Sequence, residues 1–171
     1  MNAVCIRNKT ARAFALGDAL GDRDLPRLLR RLDEDVWEIR AKIDRDKSEI
    51  GLLYGLISKV RAMLLLKEML NEGWVKATTS YDQFKGQLAR VPKNRLPEDR
   101  RYNPLAQNPY VLFKALPQAQ RYSRAELVRA MDLLLQCNRR LISSGLDDTL
   151  ILQQTLVKIV GHAKPAAARA G

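Results

Sequence analysis

The chain of 171 residues carries 30 Lys and Arg against 19 Asp and Glu, a formal net charge of +11, with 46% apolar and 6% aromatic residues. This length suits one domain, and the apolar share is ample for a core, which argues against global disorder. Two cysteines, Cys5 and Cys137, and a single histidine exclude a disulfide scaffold and a structural zinc site of Cys/His type, and no apolar run approaches the roughly 18–20 residues of a membrane-spanning helix.

The composition predicts a soluble protein of a reducing compartment. At the N-terminus, Arg7, Lys9 and Arg12 interrupt any apolar core of a signal peptide. Residues 1–9 read as an expression remnant or linker, so that the natural chain is expected to begin upstream. From there the periodicity is helical almost throughout, without strand alternation or hairpin signals. A short helix is predicted over residues 10–20, with Phe14, Leu16, Gly17 and Ala19, and Gly21 at the stop position. A second begins near residues 22–26, where Asp22 or Asp24 can cap and Pro26 fits the first turn. It is expected to place Leu25, Leu28, Leu29, Leu32, Val36 and Trp37 on one face. Residues 22–47 hold eight basic and eight acidic side chains, which reads as a solvated face.

The third helix, residues 47–71 closed by Gly73, is the longest. Ile50, Leu53, Tyr54, Ile57, Val60, Met63, Leu64 and Leu70 recur at three and four, and Leu52, Leu56, Leu65, Leu66 and Met69 widen the stripe. A helix so apolar must be covered on more than one side, which makes it the central helix of a bundle. Residues 75–107 differ. They hold Pro92, Pro97 and Pro104 and read as a loop-rich insertion in which Ser80-Tyr81-Asp82-Gln83 forms a capping box, with Phe84 and Leu88 facing inward. Lys76, Lys85, Arg90, Lys93, Arg95, Arg100 and Arg101 are opposed there only by Asp82, Glu98 and Asp99.

Asn108-Pro109 starts another helix, carrying Val111, Leu112, Ala115 and Leu116, which Pro117 is expected to kink or split. Ser123-Arg124-Ala125-Glu126 is a second capping box. It opens a helix with Leu127, Ala130, Met131, Leu134, Cys137, Asn138 and Leu141, ended by Gly145. Asp147 or Asp148 caps the last helix, stopped by Gly161, and residues 162–171 read as a disordered Ala-rich tail. The fold class is therefore all-α, a bundle of about six or seven helices spanning residues 10–161.

Catalytic chemistry is hard to assemble from these residues. His162 lies in the tail, Cys137 sits on an apolar helical face without a histidine to activate it, and Asp33-Glu34-Asp35 reads as a solvated face among arginines rather than a metal site. Neither a P-loop nor a Gly-rich dinucleotide turn is present. No catalytic, cofactor-binding or metal-ligating residue is assigned, and no enzyme activity is expected of this chain. The basic excess permits contact with phosphates, although the basic residues are dispersed. Tyr102, Tyr110 and Tyr122 read as packing or capping residues rather than platforms for bases.

The order of landmarks suggests a family. Ala13-Phe14-Ala15-Leu16-Gly17-Asp18-Ala19-Leu20, followed by the leucines of residues 25–32, resembles the segment entering the C-terminal domain of the delta subunit of the bacterial DNA polymerase III clamp loader. Glu49-Ile50-Gly51-Leu52-Leu53 through Arg61-Ala62-Met63-Leu64, then Lys67-Glu68-Met69-Leu70, is similar to that family's long helix. Asn108-Pro109-Tyr110-Val111 with Lys114-Ala115-Leu116 resembles its "His-Pro-Phe, then Lys-Lys-Ala-Leu" helix start, and residues 123–135, Gly145-Leu146-Asp147 and 150–160 match its last two helices in order. There are departures. The family has an acidic residue and a lysine in the helix running here through 137–143, where this chain has Asn138 and Ile142, and the stretch 75–107 is longer than the usual connection.

The resemblance implies a collar domain, which joins delta to the gamma/tau and delta prime subunits in the ring that loads the sliding clamp onto DNA during replication. It implies a bacterial cytoplasmic location in the replisome and no cofactor. The clamp-binding element belongs to the family's ATPase-like N-terminal portion, so no residue of this chain is assigned to the clamp. Collar domains surround the primer–template junction, which makes Lys93, Arg95, Arg100 and Arg101 candidate DNA-phosphate contacts. Beside that stands a solvated loop that contacts nothing. The competing function is a stand-alone basic helical module that binds nucleic acid directly.

Overall fold

The computed structural model describes residues 14–43, 45–100 and 103–161. These form seven α-helices and two short 3-10 turns, with no strand among them. The first helix, α1 (residues 14–21), buries Leu16, Ala19 and Leu20 and leaves Phe14 exposed. Gly21 does not stop it by a left-handed turn: it is still helical, and the positive φ falls two residues later, on Arg23 (φ 57°). What Gly21 provides is space. A Cβ there would lie 2.6 Å from Cδ of Gln118, whose side chain is buried against it.

Helix α2 (Leu25–Arg40) starts as its sequence dictates, with the Asp24 carboxylate accepting from the Arg27 amide and Pro26 in the first turn. Leu28, Leu32 and Val36 are buried, but Trp37 is 63% exposed. At 100° per residue Trp37 lies half a turn from Leu28, so the two cannot share a face. Nor is the acidic run simply solvated. Asp35 is buried between Arg31 and Lys47, each 3.0 Å away, and Lys47 also reaches Glu38 at 2.6 Å.

Helix α3 (Glu49–Asn71), capped by Ser48 and terminated at Gly73 (φ 71°), is the centre of the bundle. It packs mainly on α6 and α5, and to a lesser extent on α7. It buries Leu53, Leu56, Ile57, Val60, Ala62, Met63, Leu66 and Met69, which by helical angle span about two-thirds of the circumference, whereas Ile50 and Tyr54 near its start are exposed. Helix α4 (Tyr81–Ala89) packs on α5. Ser80 accepts from the Gln83 amide, but the reciprocal half of the capping box is missing: the Ser80 amide donates to Thr78 Oγ1, which in turn donates to the Gln83 side chain. Val75, Phe84, Leu88 and Val91 anchor the 75–107 stretch to the core, with Leu96 and Leu105 packed against it.

Helix α5 (Pro109–Gln120) is capped by Asn108 and runs unbroken through Pro117. Helix α6 (Arg124–Ser143) opens with a complete capping box of Ser123 and Glu126, and α7 (Asp148–Val160) with Asp147. Helix α7 lies on α6 and α2. The turn between α1 and α2 is bolted to the turn between α5 and α6. The buried Tyr122 hydroxyl donates to Leu20 O at 2.5 Å, Arg23 donates to Glu126 at 2.7 Å and to Arg121 O at 2.6 Å, and Arg121 donates back to Asp22 O at 2.7 Å. The Arg23 guanidinium lies 4.2 Å from the centre of the Tyr122 ring. Together these contacts hold Glu126 ionised, its pKa lowered to about 2 chiefly by the Arg23 hydrogen bond, while burial pushes the Tyr122 phenol up to about 12.

Candidate interaction surface

The ionisable groups do not converge on a reaction centre. Among the described residues no group of three or more His, Cys, Asp and Glu side chains is placed to hold a metal ion. Asp33 accepts from Gln153, Glu34 from Arg31, and Asp35 is shared by Arg31 and Lys47, so the three carboxylates of that run point to different partners. The Cys137 thiol is buried, and desolvation raises its pKa, the opposite of what a nucleophile needs. His162, the other candidate weighed from the sequence, lies outside the described residues.

A cleft of about 890 Å³ opens between the α1–α2 turn, residues 77–79 and α5. Its acids are already engaged: Asp18 binds Lys59 at 2.9 Å and Asp22 binds Arg27 at 3.0 Å. Gln118 lines it too, but its amide nitrogen already donates to Asp22 Oδ1 (3.1 Å) and Asp18 O (3.3 Å). The cleft is thus the seam of a polar network that holds the bundle together.

Two kinds of surface remain. One is the basic segment after α4. Lys93 and Arg95 sit in a 3-10 turn (Lys93–Arg95) whose side chains are exposed, and Arg100 is exposed five residues on. Arg95 lies 3.8 Å from Glu72, a solvated pair of little energetic worth. Arg101 and Tyr102 lie outside the described residues. Of the other cations in this stretch, Lys85 reaches over the Tyr81 ring, 5.5 Å from its centre. Tyr110 makes an edge contact with Tyr81 at 5.7 Å, and Tyr81 and Phe84 both contact Phe113, so the exposed Tyr110 belongs to an aromatic cluster between α4 and α5.

The other surface is apolar. Ile50 and Tyr54 on α3, Trp37 at the end of α2, and Val128, Leu135 and Ile142 on α6 all stand in solvent. The inward faces of these helices are legible from the i, i+3, i+4 pattern. The outward residues are not, because a lone exposed leucine is ordinary and only its repetition carries a signal. No family model, no curated protein and no solved structure matches this chain.

Proposed function

We propose that the chain is the collar domain of a clamp-loader delta subunit, a module that joins subunits rather than transforming a substrate. The observation that carries this reading is the coincidence of the resemblance's landmarks with helix boundaries. Asn108 and Pro109 are the cap and first residue of α5, Ser123 and Glu126 close the capping box of α6, and Leu146-Asp147 leads into the cap of α7. The long arginine-and-leucine helix of the resemblance is α3, at the centre. Exposed apolar side chains on α2, α3 and α6 suit a domain whose neighbours cover it. Under this reading the partners are the gamma/tau and delta prime subunits, the location is the bacterial cytoplasm, and primer–template DNA is approached only within the assembly.

The test is reconstitution of the chain with gamma/tau and delta prime subunits of the same organism. A stoichiometric complex that survives about 0.5 M salt supports the reading, since such salt strips phosphate contacts but leaves apolar interfaces. A chain that binds neither subunit is not a collar. The second reading, a stand-alone nucleic-acid-binding module, is favoured by the exposed Lys93 and Arg100 and the net charge of +11. It requires DNA or RNA binding by the chain alone, falling steeply with salt.

A further inference from the structure

Helix α6 carries on its outer side a row of apolar residues spaced by seven: Val128, Leu135 and Ile142, which are 38%, 47% and 71% exposed. Seven residues of an α-helix are two turns less 20°, so the three form one nearly straight stripe about 21 Å long. The stripe stands apart from the buried face of Leu127, Ala130, Leu134 and Cys137. A stripe with a seven-residue period is the pattern that receives a second helix at a shallow angle, with its side chains set between those of the partner.

We propose that this stripe pairs with the same stripe of a second copy of the chain, the two α6 helices running antiparallel about a two-fold axis at Leu135. The sequence of the stripe is its own complement. About that axis Leu135 meets Leu135 of the second copy, and Val128 meets Ile142, because each lies seven residues from the centre. The flanking charges obey the same operation. Asp132 lies three residues before Leu135 and Arg139 four after it, so the two-fold brings Asp132 of one copy within about 1.5 Å, measured along the helix, of Arg139 of the other. Both project to the same side of the stripe by the helical angle, and a two-fold of this kind matches like sides. The pairing brings these opposite charges together twice. Within one copy both side chains are exposed, and among the described residues neither has an ion-pair partner.

The proposal does not depend on the collar reading. An interface between single helices falls short of the about 1,200–2,000 Å² of a standard stable interface, so the pair is a weak, concentration-dependent dimer. Sedimentation equilibrium of the full 171-residue chain from about 5 µM to 500 µM is expected to show reversible monomer–dimer exchange. Leu135→Glu sets two carboxylates against each other on the axis and is expected to raise the dissociation constant more than about tenfold, with the helical circular dichroism unchanged because the site is on the surface. Asp132→Arg and Arg139→Asp each place like charges together and weaken the dimer. The double variant restores both pairs with their signs exchanged and recovers most of the affinity. A strictly monomeric chain at 500 µM, or a dimer indifferent to Leu135→Glu, overturns the proposal. A double variant no tighter than the weaker single overturns the antiparallel register.

Discussion

Gly21 and Gln118 form one unit although 97 positions separate them. The Gln118 side chain occupies the space that a Cβ at position 21 would need, with Oε1 only 2.7 Å from that point. Its Oε1 is buried without a hydrogen-bond partner among the described residues, so the fit is steric and there is little slack. Gly21→Ala is expected to cost about 1–3 kcal/mol, the usual range for overpacking. The double variant with Gln118→Ala should be less destabilised than the sum of the two single variants, which chemical denaturation of all four proteins measures. By sequence alone Gly21 reads as a helix stop, a local role. Its real constraint is long-range, and nothing in its neighbours' spacing announces Gln118. The same holds for Glu126. The capping box with Ser123 is legible in the sequence, but the Arg23 guanidinium 2.7 Å away is not. That arginine first, with the Ser123 hydrogen bonds, lowers the carboxyl from 4.5 to about 2, so below pH 4.5 the unfolded chain takes up the proton first. The stability contributed by the ion pair is therefore complete above about pH 4.5 and disappears as pH falls through about 2. Glu126→Gln keeps the capping geometry and is expected to cost about 1–2 kcal/mol at neutral pH, a partly exposed charged hydrogen bond. The difference from the unaltered protein should shrink between pH 4.5 and 2, which urea titrations at several pH values will show.

At the scale of the helix, α3 explains both what periodicity can read and where it stops. Its apolar positions exceed one stripe, which requires a central place, and α5, α6 and α7 do reach it from several sides. The pattern does not say which of its members are covered. Leu53, Leu56, Met63 and Leu66 are fully buried, while Ile50 and Tyr54 belong to the same repeat and stand exposed. Leu64 illustrates the difference. It shares the repeat with Val60 yet is only partly buried, at the margin of the core. Leu66→Ala is therefore expected to cost about 2–5 kcal/mol and Leu64→Ala less than about 2, measured by thermal or chemical unfolding. Equal costs would mean that α3 is enclosed equally on both sides. Local rules also misjudge α5. Proline removes one amide donor and crowds the preceding turn, which predicts a kink or split at Pro117. The helix continues because Ala115, Leu116 and Ala119 on either side of Pro117 are buried against the bundle, and that packing outweighs one missing backbone bond.

For the whole molecule, helix content and number are written in the caps and the apolar periods, but the arrangement is not. The order in which helices touch depends on pairs such as Arg23 with Glu126 and Arg40 with Asp147, 103 and 107 residues apart, whose partners no local pattern reveals. Charge is the remaining global property, and here the sequence points to residues whose roles a salt series can decide. Much of the charge outside the 75–107 stretch is paired: Arg27 with Asp22, Arg31 with Glu34 and Asp35, Lys59 with Asp18, Arg124 with Glu68. Lys93 and Arg100 are exposed on the segment after α4, and Arg95 is held only loosely by Glu72. If this segment reaches phosphate in an assembled loader, replacing Lys93, Arg95, Arg100 and Arg101 by Ala should leave assembly intact and lower the salt slope of DNA binding. Each phosphate that is no longer neutralised takes about 0.7–0.9 from the slope. Two or three such phosphates, with Arg95 shared between Glu72 and DNA, predict a fall of about 1.4–2.7, and a parallel drop in affinity independent of DNA sequence. The measurement is DNA binding by the reconstituted complex between about 50 and 300 mM salt. An unchanged slope and affinity in an intact complex would leave these four residues as solvated charge. In that case any neutralisation of phosphate by the assembly would have to come from other residues of this chain or from other subunits.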